Sequence, residues 1–227
     1  MTDEFDQAAA TLLAGLADAS TFERIAVGCR GSANPAALAW IAEGLRLDAS
    51  TTVVDLGAGI GGPAAWLTAR YRCGVVILEP ASAAVAASRE LFDLAAIRAE
   101  AGNCPLGDAA MDVALLFGVV SVVTDPRSAL GEARRVASRL GLMDYCATGP
   151  SAVEAGGSRF VTPDELRSCA TTAGWNVEQD IDIDLVAPPS WTEAQRKYEP
   201  EETSVDEEAV ARAIERGLIA PRLLLAS

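Results

Sequence analysis

The chain has 227 residues, with 32 acids against 18 bases, a formal net charge of −14 and no histidine. A surface this acidic lacks the basic face that displaces counterions from phosphates, which argues against DNA, RNA and anionic membranes as partners. The missing histidine excludes Ser-His-Asp and Cys-His nucleophiles and histidine-based zinc or iron sites, so no metal site is expected.

The five cysteines, Cys29, Cys73, Cys104, Cys146 and Cys169, are dispersed without a Cys-x-x-Cys pair. They read as buried thiols of a reducing compartment, the cytoplasm. The first residues are acidic where a signal peptide would be basic, and no apolar run is long enough to cross a bilayer.

In chain order, apolar spacing predicts a helix from Asp3 to Ala19 with Phe5, Ala9, Leu12, Leu13 and Leu16 on one face. A Gly-containing loop over residues 28–32 is followed by Asn34-Pro35, an N-cap and first-turn proline opening a helix to Leu47. Strands and helices then alternate: strand 51–56, helix 63–72, strand 74–79, helix to Ala95, strand 97–101, strand 111–119, helix 126–138 after Asp125, and strand 140–146. Thr162-Pro163-Asp164-Glu165 is a capping box that opens another helix, and Trp175 to Leu185 reads as a strand near an edge. Residues 187–203 form a Pro- and aromatic-bearing insertion, a loop or short helix, before a helix from Ser204 to Gly217 and a closing strand from Ile219 to Ala226. This alternation implies an α/β fold with a mostly parallel sheet and helices on both faces.

The informative stretch runs from Val53 to Pro63, Val-Val-Asp-Leu-Gly-Ala-Gly-Ile-Gly-Gly-Pro. It leads from a buried strand through a glycine turn into a helix, which lets backbone N–H groups approach a ligand closely. Gly57, Gly59 and Gly62 also satisfy Gly-x-Gly-x-x-Gly, so a dinucleotide and S-adenosylmethionine both fit the loop. Glu79, closing the next strand, suits either ligand because an acid there can hold ribose hydroxyls. Asp55 separates them: its carboxylate would face a pyrophosphate's negative charge but would favour a cofactor carrying an ammonium and a sulfonium.

On these residues the chain resembles the class I S-adenosylmethionine-dependent methyltransferases, and within them the small-molecule branch called methyltransferase type 11. The resemblance covers residues 53–147, with an extension to the C-terminus. It implies a Rossmann-like, seven-stranded, mostly parallel sheet whose last strand is antiparallel. It implies S-adenosyl-L-methionine bound by Asp55, Gly57, Ala58, Gly59, Gly61, Glu79, Pro80, Asn103, Cys104, Phe117 and Gly118. Asp112 and its strand resemble the family's fourth motif. Ala137 to Gly141 stands where members have a Pro-Gly-Gly turn. Residues 1–50 would supply helices that pack on the core and lid the site, and 51–227 the cofactor-binding domain.

Methyl transfer from a sulfonium is an in-line displacement whose donor is already activated, so alignment comes first and a base is needed only for a protonated acceptor. No residue is assigned as catalytic. Asp144, Tyr145 and Glu154 lie where a base would stand, and each also reads as an ordinary structural or solvated residue. The acceptor side draws on Phe22, Arg30, Tyr145, Trp191 and Tyr198. Asn/Asp-Pro-Pro-Tyr/Phe, the mark of nucleic-acid amino-methyltransferases, is missing after the fourth strand, where Phe117-Gly118-Val119-Val120 stands. The expectation is a methyltransferase acting on a small molecule at N, O or C. The alternatives are an NAD(P)-dependent oxidoreductase and a non-catalytic S-adenosylmethionine-binding protein; homodimer formation is left open.

Overall fold

The structure is a computed structural model that describes residues 2–31, 33–182, 186–198 and 205–227, with side chains from Phe5 onward. Leu185, Pro200, Thr203 and Ser204, which the sequence reading used as element ends or insertion residues, lie outside the described residues.

Nine strands and nine helices occur among the described residues: α1 Thr2–Gly15, α2 Thr21–Gly28, α3 Pro35–Gly44, β1 Thr52–Leu56, α4 Gly62–Tyr71, β2 Gly74–Glu79, α5 Ser82–Phe92, β3 Ala95–Arg98, β4 Met111–Phe117, α6 Pro126–Val136, β5 Ala137–Ala147, β6 Val153–Ala155, β7 Ser158–Phe160, α7 Pro163–Thr172, β8 Val177–Asp182, α8 Pro189–Lys197, α9 Val205–Glu215 and β9 Ile219–Ala226. Seven strands form one sheet in the order β3-β2-β1-β4-β5-β9-β8. β9 runs antiparallel to both its neighbours, β5 and β8, while the β1–β5 pairings are parallel. This is the expected seven-stranded Rossmann-like sheet, with the last strand in the chain reversed.

The pleat divides the core. Val53, Val113, Leu115, Phe117, Leu223 and Leu225 pack with α2, α3, α4 and α8 on one face. Val54, Leu56, Leu116, Leu140, Leu142 and Leu224 pack with α6 and α7 on the other. Burial on both faces is why β4 is apolar almost throughout. Asp112, at the amino end of β4, accepts the Thr52 N–H at 2.7 Å and the Thr52 hydroxyl at 2.8 Å. It therefore ties β4 to the start of β1, at the end of the sheet opposite the glycine loop.

The caps behave as the sequence predicts. Asn34 accepts from Ala36 N and Ala37 N, Asp125 from Arg127 N and Ser128 N, and Thr162 forms a reciprocal box with Glu165. Several boundaries differ. The first helix ends at Gly15, and a separate helix, α2, occupies 21–28, where the sequence reading placed nothing before its loop. Ser20 and Glu23 form a full capping box at its start. α6 passes directly into β5 at Ala137, so no turn stands in place of a Pro-Gly-Gly segment. β3 lies at 95–98 rather than 97–101, because α5 ends at Phe92, where Asp93 turns left-handed at φ 55°. Residues 153–160, to which the sequence reading assigned no element, form the β6–β7 hairpin around Gly156 and Gly157, with φ 55° and 69°.

Candidate functional site

β1 places Asp55 near the carboxyl end of the sheet between Ile77 of β2 and Leu115 of β4. After Leu56 the chain folds back: the N–H groups of Gly57 and Ala58 donate to the Leu78 carbonyl at 2.8 and 3.1 Å. Gly57, Gly59 and Gly61 take φ values of 74°, 57° and 89°, a region in which any other residue is strained. Gly62, the third glycine of the dinucleotide-like pattern, has another role. A Cβ there would stand 2.2 Å from the carbonyl carbon of Gly28, so the start of α4 is pressed against the end of α2.

Asp55 is 0 % exposed. Both its carboxylate oxygens are buried and have no hydrogen-bond partner among the described residues. Burial first, and then the nearby Glu79 carboxylate, push its pKa up to about 7. The Cys29 thiol, at the end of α2, is held well above its ordinary value by burial and by the Asp55 charge. Glu79 is 5 % exposed, and its two oxygens accept the N–H groups of Gly59 at 2.9 Å and Ala81 at 3.0 Å. Burial still raises its pKa against those two bonds. Carboxylate oxygens carry further lone pairs, so Glu79 retains capacity for hydroxyl donors.

Beside it, a cavity of ≈ 400 Å³ is lined by Pro80, Arg98, Ala99, Glu100, Asn103 and Pro105. Pro80 and Asn103 thus share one depression next to Glu79. Cys104 does not join them: its side chain is buried in the opposite core cluster and its N–H donates to Glu132 at 2.8 Å. Phe117 is buried on the Asp55 face of the sheet, and Gly118, at φ 68°, donates its N–H to Met143 O at 2.8 Å. Ala58 is buried in the same cluster as Phe117.

The acceptor-side residues divide. Phe22 of α2 and Trp191 of α8 meet edge to face with centroids 5.8 Å apart. Arg30 donates to the Gln195 carbonyl, Gln195 donates to the Ala26 carbonyl at 2.8 Å, and Lys197 pairs with Glu23 at 2.5 Å. α8 is therefore fastened along α2, and Arg30 is engaged in that fastening. Tyr145 is part-buried against both the α2–α4 core and the β6–β7 hairpin, while Tyr198 packs towards the α1–α5 cluster. Trp191 is 2 % exposed and its indole N–H has no partner among the described residues. Of the base candidates, Glu154 is exposed and lies 3.6 Å from Arg159. Asp144 is buried with both oxygens engaged by N–H donors.

The sequence reading missed two contributors. α2 frames the glycine loop through Gly28, and Ser20-x-x-Glu23 was its available signal. Asp6 of α1 caps α5, accepting the Ala83 N–H at 2.6 Å, a long-range contact with no local mark. α1 also reaches the loop itself: a Cβ at Gly59 would lie 3.6 Å from the Phe5 ring.

Residues 54–143 match the family model for "Methyltransferase domain". The matched segment spans β1 to β5 and is similar to a methyltransferase domain. No curated protein matches it. Among solved structures, the [4+2]-cyclase SpnF superposes with a TM-score of 0.68 at 19 % identity, covering 83 % of this chain and 79 % of that one. Geranyl diphosphate C-methyltransferase from Streptomyces coelicolor A3(2), solved with Mg²⁺, geranyl diphosphate and S-adenosyl-L-homocysteine, superposes at 0.67 with 14 % identity, covering 85 % and 78 %. The protein solved in complex with the Haloferax volcanii Trm112 methyltransferase activator superposes at 0.62 with 19 % identity, covering 98 % and 96 %. At these identities the likenesses show a shared fold. Among the described residues, no group of three potential metal ligands occurs, and no helix is long and apolar enough to cross a membrane.

Proposed function

We propose that this protein binds S-adenosyl-L-methionine at the glycine loop and transfers its methyl group to a small-molecule acceptor. The observation that carries this reading is Asp55. A fully buried carboxylate with two unpartnered oxygens is costly unless a ligand completes it. A cationic ligand compensates that cost, whereas a pyrophosphate would add to it. The residues fit the cofactor in kind. Asp55 would meet its positive end, Glu79 the ribose hydroxyls, and Pro80 and Asn103 the adenine edge, where an amide can serve as donor or acceptor. Gly57, Ala58, Gly59 and Gly61 would offer close backbone, with Phe117 and Gly118 beside the methionine end. The bound cofactor would supply the activated methyl group; the chain would align the acceptor and exclude water.

For the acceptor, the reading takes α1, α2 and α8 as the lid, consistent with residues 1–50 and 187–203 serving as the substrate side. Phe22, Trp191, Tyr145 and Tyr198 give that side an aromatic character. The net charge of −14 disfavours nucleic acid, and five dispersed cysteines without a Cys-x-x-Cys pair favour a cytoplasmic location. The test is incubation with methyl-labelled S-adenosylmethionine and a metabolite extract. Label appearing in an extractable small molecule is the expected result. Cofactor binding without transfer would make the protein a sensor or binding module instead.

A further inference from the structure

Asp144 lies near the carboxyl end of β5, on the sheet face it shares with Leu142 and Cys146, and is 3 % exposed. Its Oδ2 accepts the Ser121 N–H at 3.1 Å and its Oδ1 the Tyr145 N–H at 2.8 Å. Burial raises its pKa, while the Ser121 hydroxyl and the Ser121, Tyr145 and Val120 N–H groups oppose that rise. The turn it grips, residues 118–121, follows β4 directly. At its other end, Gly118 N–H donates to Met143 O at 2.8 Å, so β5 secures the turn by main chain at one end and by a carboxylate at the other. Ser121 O also accepts the Arg159 N–H at 2.8 Å, which ties the β6–β7 hairpin to the same point.

Between those anchors sits Val119. A Cβ at Gly57 would stand 2.7 Å from Val119 Cγ2, so this side chain occupies the space above the first glycine of the loop. The turn and the glycine loop therefore meet as one packed wall.

We infer that Asp144 is a positioning residue: its carboxylate holds the 118–121 turn so that Val119 stays seated on Gly57 and the cofactor cradle keeps its shape. This rests on the reading of that loop as an S-adenosylmethionine site. It also sets aside Asp144 as a base, since both oxygens are buried and occupied. Removing the carboxylate leaves the Ser121 N–H buried without its acceptor, which frees the turn to move.

The test is S-adenosylhomocysteine affinity, measured by calorimetry on the full chain. Asp144→Asn retains the shape but turns an amide N–H towards one of two donors, and is expected to weaken binding about tenfold. Val119→Ala is expected to weaken it similarly. The double variant is expected to lose no more than the worse single one, because both act on one contact. A purely structural role would lower the melting temperature of each variant yet leave the two losses multiplicative. Binding of Asp144→Asn within twofold of wild type, or multiplicative losses, would overturn the inference. If Asp144→Asn does not fold, hydrogen exchange on the wild type decides: the amides of residues 119–121 are expected to gain at least about tenfold protection on adding S-adenosylhomocysteine, and unchanged exchange would overturn the inference. Wild-type protein that does not bind S-adenosylhomocysteine at all fails at the earlier step, the cofactor reading itself.

Discussion

Gly28 and Gly62 lie backbone against backbone: a Cβ on Gly62 would stand 2.2 Å from the Gly28 carbonyl carbon and 2.5 Å from Cys29 N. Neither obstacle is a flexible side-chain end, so the contact has no cheap relaxation. Gly62→Ala is expected to push α2 off α4 and cost about 1–3 kcal/mol, read as a lowered denaturant midpoint. Gly131, within α6, has nothing within 4 Å of a Cβ position. Gly131→Ala should instead stabilise by about 1 kcal/mol through helix propensity. Equal responses of the two variants would contradict the close-approach account.

The second prediction concerns pH. Burial and Glu79 raise Asp55 from 3.8 to about 7 in the folded, ligand-free protein. A raised carboxyl pKa means the folded state binds the proton more tightly than the unfolded chain does. The associated stability is complete below about pH 4 and is lost as pH rises towards 7, a change on the order of 4 kcal/mol. Glu79 is shifted in the same direction. Asp55→Asn should flatten this part of the stability curve, measured by denaturant unfolding from pH 4.5 to 8. Parallel curves for wild type and variant would show that Asp55 does not titrate in that window.

The third concerns the α1 contact. Asp6 accepts the Ala83 N–H at 2.6 Å at the start of α5, where Ala81 offers no side-chain cap. Asp6→Ala removes a cap supplied from another helix and is expected to cost about 1 kcal/mol in α1 docking. Limited proteolysis should then cut within residues 1–20 faster while the rest of the chain resists. Unchanged cleavage would mean that the apolar contacts of Ala9 and Leu16 suffice.

Much of the fold was legible because its signals are local. β2 and β9 appear at the residues their apolar runs mark, and the helices beginning at Pro35, Pro126 and Pro163 start at their caps. α2 was passed over because eight residues carry too little periodicity, although Ser20 and Glu23 mark its start. The β6–β7 hairpin was passed over because its strands are three residues each, although Gly156-Gly157 between Ala155 and Ser158 is a hairpin signal. In the site, Asp55 and Glu79 were visible as acids placed around a glycine turn. The grip of Asp144 on Ser121 was not, because it joins residues 23 positions apart across two strands. Nor was the side of the sheet on which Cys104 is buried, which depends on the packing of α6 rather than on its neighbours in sequence.

The fourth prediction concerns the loop that carries Asn103. Arg135 of α6 donates to Leu106 O at 2.8 Å and Cys104 O at 2.9 Å, and pairs with Glu132 and Asp108 at 2.8 Å. One guanidinium thus gathers the segment after Asn103. Lysine offers a point charge rather than a planar fork, so Arg135→Lys should loosen residues 103–108 despite keeping the charge. Faster amide exchange across that segment, with adenosine-end affinity reduced, is the expected outcome. Unaltered exchange would show that the backbone holds the loop unaided.

The most direct measurement is calorimetric titration of the wild-type chain and of Asp55→Asn with S-adenosylmethionine and with NAD, side by side at pH 8. S-adenosylmethionine should bind the wild type and NAD should not. Asp55→Asn should weaken S-adenosylmethionine binding by about 1.5–3 kcal/mol, the worth of a charge-assisted bond. NAD binding to the wild type, or S-adenosylmethionine binding that ignores the loss of the Asp55 charge, would contradict the account.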